Sequence, residues 1–175
     1  MVLLKTLRLE LRALLTSDLQ TACELGADPR VMNSLGGVCS KAASAAWLDR
    51  QLAHWQDHGY GRYWVGASGH FVGFVGLSRT DFDRGIVPGV EVAWRLAFAE
   101  WGHGYATEAA RAVLDHGLSK LELGEIIAVT SAGNARSRRV MDRLGMVYSP
   151  HETFDHPLLG AEDPLLLHVV YRLKH

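Results

Sequence analysis

Cysteine is scarce: Cys23 and Cys39 are the only two in 175 residues. Two thiols cannot make the disulfide framework that staples small secreted domains, so a reducing, cytoplasmic location is the expectation. Long apolar runs are missing too. No segment approaches the roughly 18 consecutive apolar residues of a membrane-spanning helix. The opening "MVLLKTLRLELR" lacks both the basic start and the sustained apolar stretch of a signal peptide. Neither sign of charge dominates, with 18 Lys and Arg against 19 Asp and Glu and a formal net charge of -1. Neither nucleic acid nor a membrane is therefore expected as a partner, although the arginines of "NARSRRVMDR" form a local concentration. No Gly-Lys-Ser/Thr tripeptide occurs, which removes the Walker A loop. In Gly102-His103-Gly104-Tyr105-Ala106-Thr107 the alanine falls one position too early for the dinucleotide fingerprint.

What is present is ordinary for a globular chain, with 48% hydrophobic and 21% charged residues, and the length suits one domain over 1–175. "LRLELR", Leu7 to Arg12, alternates like a strand with one buried face. In "TSDLQTACELG", Thr16 or Ser17 is placed to cap a helix ending at Gly26. Trp47, Leu48, Leu52 and Trp55 recur at helical spacing before Gly59. "RYWVGAS", "HFVGFVGLS" and "GVEVAWRL" read as three strands, separated by turn-like pieces with Ser68 and Gly69, then Asp83, Gly85 and Pro88. A helix follows from His103 to about Leu118, with Ala106, Ala109, Ala110, Val113, Leu114 and Leu118 near one face. "EIIAVT" and "HVVYRL" are further strands, and "NARSRRVMDRLG" a short helix closed by Gly145. The segment from Ser149 to Leu167 carries Pro150, Pro157 and Pro164 and reads as a loop suited to a pocket rim. This order predicts an α/β fold, a mixed sheet covered on both faces.

The stretch "EWGHGYATEAA" places two glycines at a strand-to-helix junction. One reading is a tight turn. The other is a phosphate site, because a helix start presents unpaired N–H groups and the positive end of its dipole, and glycine lets a ligand approach the backbone.

"VEVAWRL" followed by "WGHGYATEAARAVLDHGL", and later "NARSRRVMDRLGM", resembles the GCN5-related N-acetyltransferase (GNAT) superfamily, especially the branch holding ribosomal-protein N-terminal acetyltransferases. "TLRLELR" is similar to that branch's first strand. The resemblance covers nearly the whole chain in order. It implies a splayed, mixed, mostly antiparallel sheet of about seven strands with helices on both faces, and acetyl-coenzyme A (acetyl-CoA) in a V-shaped gap. Backbone N–H groups of Gly102, His103, Gly104, Tyr105, Ala106 and Thr107 would grip the pyrophosphate. Trp101 stands where Arg or Gln is usual, a variant that the same branch carries as Trp-Gly-x-Gly-Tyr-Ala. Trp94 and Leu96 of the preceding strand would line the coenzyme.

The resemblance also implies roles for Glu91, Asn134 and Ser137. Glu91 would accept the proton of the acceptor amine, often through water, because an ammonium must lose a proton before its nitrogen attacks a thioester. It shares a strand face with Ala93 and Arg95, so an ion pair with Arg95 is the structural alternative. Asn134 would bind the pantetheine arm, and a helix-cap role is compatible. Ser137, three residues on, would hydrogen-bond the sulfur as the thiolate leaves. Met141 occupies the position where many relatives have a tyrosine, and it cannot donate a proton. Among Arg136, Arg138, Arg139 and Arg143, one or two would meet the nucleotide 3′-phosphate, the rest forming a solvated face.

His54 and His58 have a zinc-compatible spacing without the glutamate of H-E-x-x-H, and no metal is expected. His156 could line the acceptor pocket, with a structural turn as the plainer reading. The expected activity is direct transfer from acetyl-CoA to a primary amine. A non-catalytic acyl-CoA binding or sensor protein is the alternative from another class, and a nicotinamide oxidoreductase built on the Gly102 loop is a second rival. A protein amino terminus, a polyamine, an amino acid and an aminoglycoside all stay open as acceptors, and relatives make a homodimer possible.

Overall fold

A computed structural model describes residues 2–80 and 89–174. The turn expected at Asp83, Gly85 and Pro88 lies outside the described residues. The strands are β1 (Val2–Lys5), β2 (Leu9–Ala13), β3 (Arg62–Ala67), β4 (His70–Thr80), β5 (Gly89–Leu96), β6 (Glu125–Ser131), β7 (Val147–Asp155) and β8 (Leu167–Lys174). The helices are α1 (Leu19–Ala27), α2 (Pro29–Met32), α3 (Lys41–His58), α4 (Tyr105–Ser119) and α5 (Ala135–Arg143). The eight strands form one sheet in the order β1-β2-β3-β4-β5-β6-β8-β7. Every neighbouring pair is antiparallel except β5 and β6, which are parallel.

The helices lie on both faces of this sheet. On one, α4 presents Ala109, Ala110, Val113 and Leu114 to Val92 and Leu96 of β5, and α5 adds Met141. On the other, Leu25 of α1, Met32 of α2 and Leu48 of α3 cover Phe74 of β4. Alternation along the strands sends side chains to both layers. Gly73 and Gly76 let the strands meet closely: a Cβ at Gly73 would come within 2.6 Å of the Arg95 carbonyl, and one at Gly76 within 2.2 Å of the Gly61 carbonyl.

Several local expectations change. Thr16 and Ser17 lie in a short 3-10 turn, and Asp18 organises that corner: its carboxylate takes two bonds from Arg12, at 2.6 and 2.8 Å, and one from the Leu15 N–H at 2.8 Å. The segment after Ser149 is not all loop, because β7 runs to Asp155 beside β8. As the edge strand it tolerates Pro150, at an interruption of the register between Ser149 and Phe154. Among the described residues no helix is long and apolar enough to cross a membrane.

Candidate active site

The parallel pair is where the sheet opens. β5 and β6 touch through one bridge, Glu91 opposite Ile127. Beyond it β5 stays paired with β4 as far as Leu96 opposite Gly73. The Ala97 N–H donates to Val72 O at 2.9 Å. Because N–H groups of alternate residues point to alternate sides of a strand, the Trp94 N–H is turned from β4 towards β6, past the last bridge. A groove of about 800 Å³ occupies the opening.

The glycine loop forms one end. Gly102 and Gly104 have φ of +83° and +81°, and Gly104 is the left-handed residue before α4, which starts at Tyr105 rather than His103. A Cβ at Gly102 would meet nothing within 4 Å, and at Gly104 the nearest atom is an Arg8 nitrogen at 3.5 Å. Backbone conformation therefore demands the glycines, and the space above them is open. The stretch is a tight turn that leads into the start of a 15-residue helix. Gly102, Gly104, Tyr105, Ala106 and Thr107 line the groove; His103 does not. The His103 ring stacks on Tyr105 with centroids 5.6 Å apart, and its carbonyl accepts from Arg8 Nη1 at 3.0 Å.

The outer side of the loop is clamped. Glu108, in the first turn of α4, accepts from Thr6 Oγ1 at 2.6 Å, Arg8 N at 3.0 Å and Arg8 Nε at 2.7 Å. Burial pushes its carboxyl up, but the bonds from Thr6 and Arg8 outweigh this and hold it below its ordinary value. Trp101 ties the loop to β5 by donating from Nε1 to Leu96 O at 3.0 Å, and the Arg136 guanidinium lies 5.0 Å from its ring. The tryptophan thus positions the loop by hydrogen bonding and stacking, which the departure from Arg or Gln did not disclose.

Asn134 and Ser137 form the opposite wall. Asn134 caps α5, its Oδ1 accepting from Ser137 N at 3.2 Å. Its Nδ2 donates to Thr130 Oγ1 at 3.0 Å and to Ser137 Oγ at 3.1 Å. A backbone N–H can only donate, so this orientation of the amide is forced. The Ser137 hydroxyl accepts from Asn134 and keeps its own proton to give. Trp94, Leu96, Asn134 and Ser137 all line the groove, as do Arg136, Arg139 and Arg143. Arg138 is turned elsewhere, donating to Tyr171 Oη and Ala132 O at 3.2 Å each.

Glu91 is set back beside the bridge and is not itself in the groove wall. Burial pushes its carboxyl above its ordinary value, opposed by the Arg62 guanidinium 3.8 Å away and by a hydrogen bond from the Val129 N–H. The partner of Glu91 is therefore Arg62, not Arg95. Arg95 instead reaches the groove wall from the α1–α3 side, together with Arg30, Asn33 and Ser34. Sequence reasoning missed these four, because they converge only when the α2 region folds over β5.

His54 and His156 are both held by backbone contacts. His54 is engaged at both nitrogens, Nδ1 at 2.9 Å from Tyr60 O and Nε2 at 3.0 Å from Arg79 N. His156 lies in a turn, its backbone N–H bonded to Leu166 O at 2.8 Å. Neither it nor any other residue of 149–167 lines the groove, so the expected pocket rim is not formed there.

Comparison with known proteins gives the family and the fold. An acetyltransferase (GNAT) domain model matches residues 8–147. The chain is 33% identical over 126 residues to the uncharacterized protein YkkB of Bacillus subtilis, covering 70% of this chain and 71% of that one. It is 32% identical over 172 residues to the FsC-acetyl coenzyme A-N(2)-transacetylase of Aspergillus fumigatus, covering 91% and 72% respectively. A solved acetyltransferase of Salmonella typhimurium, which modifies an N-terminal serine of a 50S ribosomal subunit protein, superposes with a TM-score of 0.79 at 14% identity over 97% of this chain and 96% of that one, a likeness of fold. The chain belongs to the GNAT family of acetyl-CoA-dependent N-acetyltransferases.

Proposed function

We propose that the protein transfers the acetyl group of acetyl-CoA to a primary amine of a protein N-terminus or small molecule, by direct attack within a ternary complex. The observation that carries the proposal is the split beyond Glu91 and Ile127, which turns the Trp94 N–H into a groove whose facing wall holds Ser137. Bound acetyl-CoA would supply the activated acetyl group. Its pyrophosphate suits the backbone N–H groups between Gly102 and Thr107 at the positive end of α4. Arg136, Arg139 and Arg143 line the groove and offer cations for the 3′-phosphate, whereas Arg138 is tied to Tyr171.

The residues divide the chemistry. Glu91 takes the amine proton through a water, as its position behind the groove requires. The Trp94 N–H donates to the thioester carbonyl as negative charge gathers on its oxygen. The new C–N bond forms as the C–S bond breaks, and the Ser137 hydroxyl hydrogen-bonds the departing thiolate. The scheme uses neither a metal nor a covalent enzyme intermediate. Cys23 and Cys39 are free thiols outside the groove wall, and we infer a cytoplasmic setting from their scarcity.

The acetyl transfers for which the fungal relative and the Salmonella neighbour are named support the amine class without choosing the acceptor. The test is release of free CoA from acetyl-CoA across a panel of primary amines, with mass spectrometry of the product. An acetylated amine supports transfer. Saturable acetyl-CoA binding with no product from any amine would indicate the binding or sensor alternative.

A further inference from the structure

β5 aligns three side chains on one face: Glu91, Ala93 and Arg95. At a rise of about 3.3 Å per residue, Arg95 and Glu91 lie roughly 7 Å to either side of Ala93. The small alanine sits between a carboxylate and a guanidinium, beside the Trp94 N–H that our proposed function assigns to the thioester. The Arg95 guanidinium is held by neutral groups, its carbon 4.5 Å over the Trp47 ring and its Nη1 3.7 Å from Met32 Sδ. Among the described residues it has no carboxylate partner, while Arg12, Arg30, Arg62 and Arg172 each have one.

A desolvated guanidinium without a counter-ion is costly, and a thioether and an aromatic face compensate it only in part. Burial holds its pKa down to about 10, with the Cys39 thiol opposing that shift and Arg62 adding to it. Arg95 lines the groove, and Asn33 and Ser34 of the neighbouring turn add short polar side chains to the same wall. A guanidinium fork is shaped to bind a carboxylate in two parallel hydrogen bonds.

We propose that the acceptor is a small amine that also carries a carboxylate, an amino acid or similar amino-carboxylate, with the carboxylate on Arg95 and the amine over Ala93. This rests on the transferase reading above and narrows its acceptor. The carboxylate would replace water around Arg95 and supply the missing counter-charge. The amine would then point towards Glu91 and the thioester. Polyamines would meet the uncompensated guanidinium with like charge.

The test compares kcat/KM for phenylalanine, methionine and glutamate, each beside its own α-carboxamide, and for a polyamine and a neutral peptide. The enzymes are the wild type, Arg95→Gln and Arg95→Lys, checked for unchanged melting temperature and acetyl-CoA affinity. The wild type should favour at least one free acid over its amide by tenfold or more. Arg95→Gln should erase that ratio mainly through KM, and Arg95→Lys should keep part of it. Faster use of amides, polyamine or peptide by the wild type would overturn the proposal, and this arm needs no variant to fold. So would a preference for the acid that survives Arg95→Gln. If acetyl-CoA binds but no amine is acetylated, the transferase reading fails by itself. Quenching of tryptophan fluorescence in the CoA complex then decides the Arg95 site: binding of free acids but not amides supports it, and no binding of the acids contradicts it.

Discussion

The Asn134 amide holds Ser137 at two points, accepting from its backbone N–H at 3.2 Å and donating to its hydroxyl at 3.1 Å. The first bond caps α5, and the second leaves the serine proton directed to another acceptor. One asparagine therefore serves helix stability and the orientation of the leaving-group donor. Ser137→Ala should lower kcat roughly tenfold or more, in line with loss of one stabilising donor, with little change in melting temperature. Asn134→Ala should lower kcat and also cost about 1 kcal/mol of stability from the lost cap. Steady-state kinetics beside thermal melts separate the two. The double variant should lose less activity than the sum, because the residues act as a unit.

Burial raises the Glu91 carboxyl, so its basic form appears only at higher pH than for an ordinary carboxylate. The acidic limb of kcat/KM should lie above the usual carboxyl range, and Glu91→Gln should remove that limb and lower the plateau by a factor on the order of 10². The sign for stability is the reverse. A raised folded-state pKa favours the fold below the ordinary carboxyl value of 4.5, and that contribution is lost as pH rises through the folded value. Glu91→Gln should therefore melt no lower than wild type at neutral pH. Arg62 keeps Ser78 Oγ at 3.0 Å and Gly76 O at 3.3 Å as partners.

The Glu108 clamp has the opposite pH signature. Its carboxyl is held low, so its contribution is present above the ordinary carboxyl value and fades as pH falls through the folded one. Arg8 is 44% exposed, and solvent limits the pair to under about 1 kcal/mol. Glu108→Gln should cost that much in melts at neutral pH and nothing near the acid end. It should also weaken acetyl-CoA binding several-fold, because Arg8 would lose the partner that steadies it against the His103 carbonyl.

Arg139→Gln and Arg143→Gln should each weaken acetyl-CoA binding severalfold or more, whereas Arg138→Gln should not, since Arg138 is tied to Tyr171 and Ala132. The discriminating ligand is acetyl-dephospho-CoA, which lacks the 3′-phosphate. Calorimetry should show the wild type preferring acetyl-CoA, and an arginine that meets the 3′-phosphate should lose this preference when replaced.

Much of this was readable in the letters. The alternation of "GVEVAWRL" and the alanine face of α4 are local patterns, and β5 and α4 form with Val92 and Leu96 packed on Ala109, Ala110 and Val113. The glycine loop was readable because left-handed backbone has few other solutions. β7 was not, because Pro150 and an exposed edge erase the alternation that marks a strand. The pairing of Glu91 was also hidden. Strand period put it beside Arg95, but the cross-strand geometry that brings Arg62 within 3.8 Å depends on the register of three strands. Arg30, Asn33, Ser34 and Arg95 meet only through a long-range fold of α2 over β5.

The central claim is that the Gly102–Thr107 loop and the split beside β5 bind acetyl-CoA. Calorimetric titration of the purified protein with acetyl-CoA tests it, with Gly104→Trp as control, because φ of +81° excludes a bulky L-residue without strain. Saturable binding by the wild type, lost in a Gly104→Trp protein that still melts cooperatively, is the predicted result. No heat of binding from the wild type would contradict the account and leave the glycines as a turn.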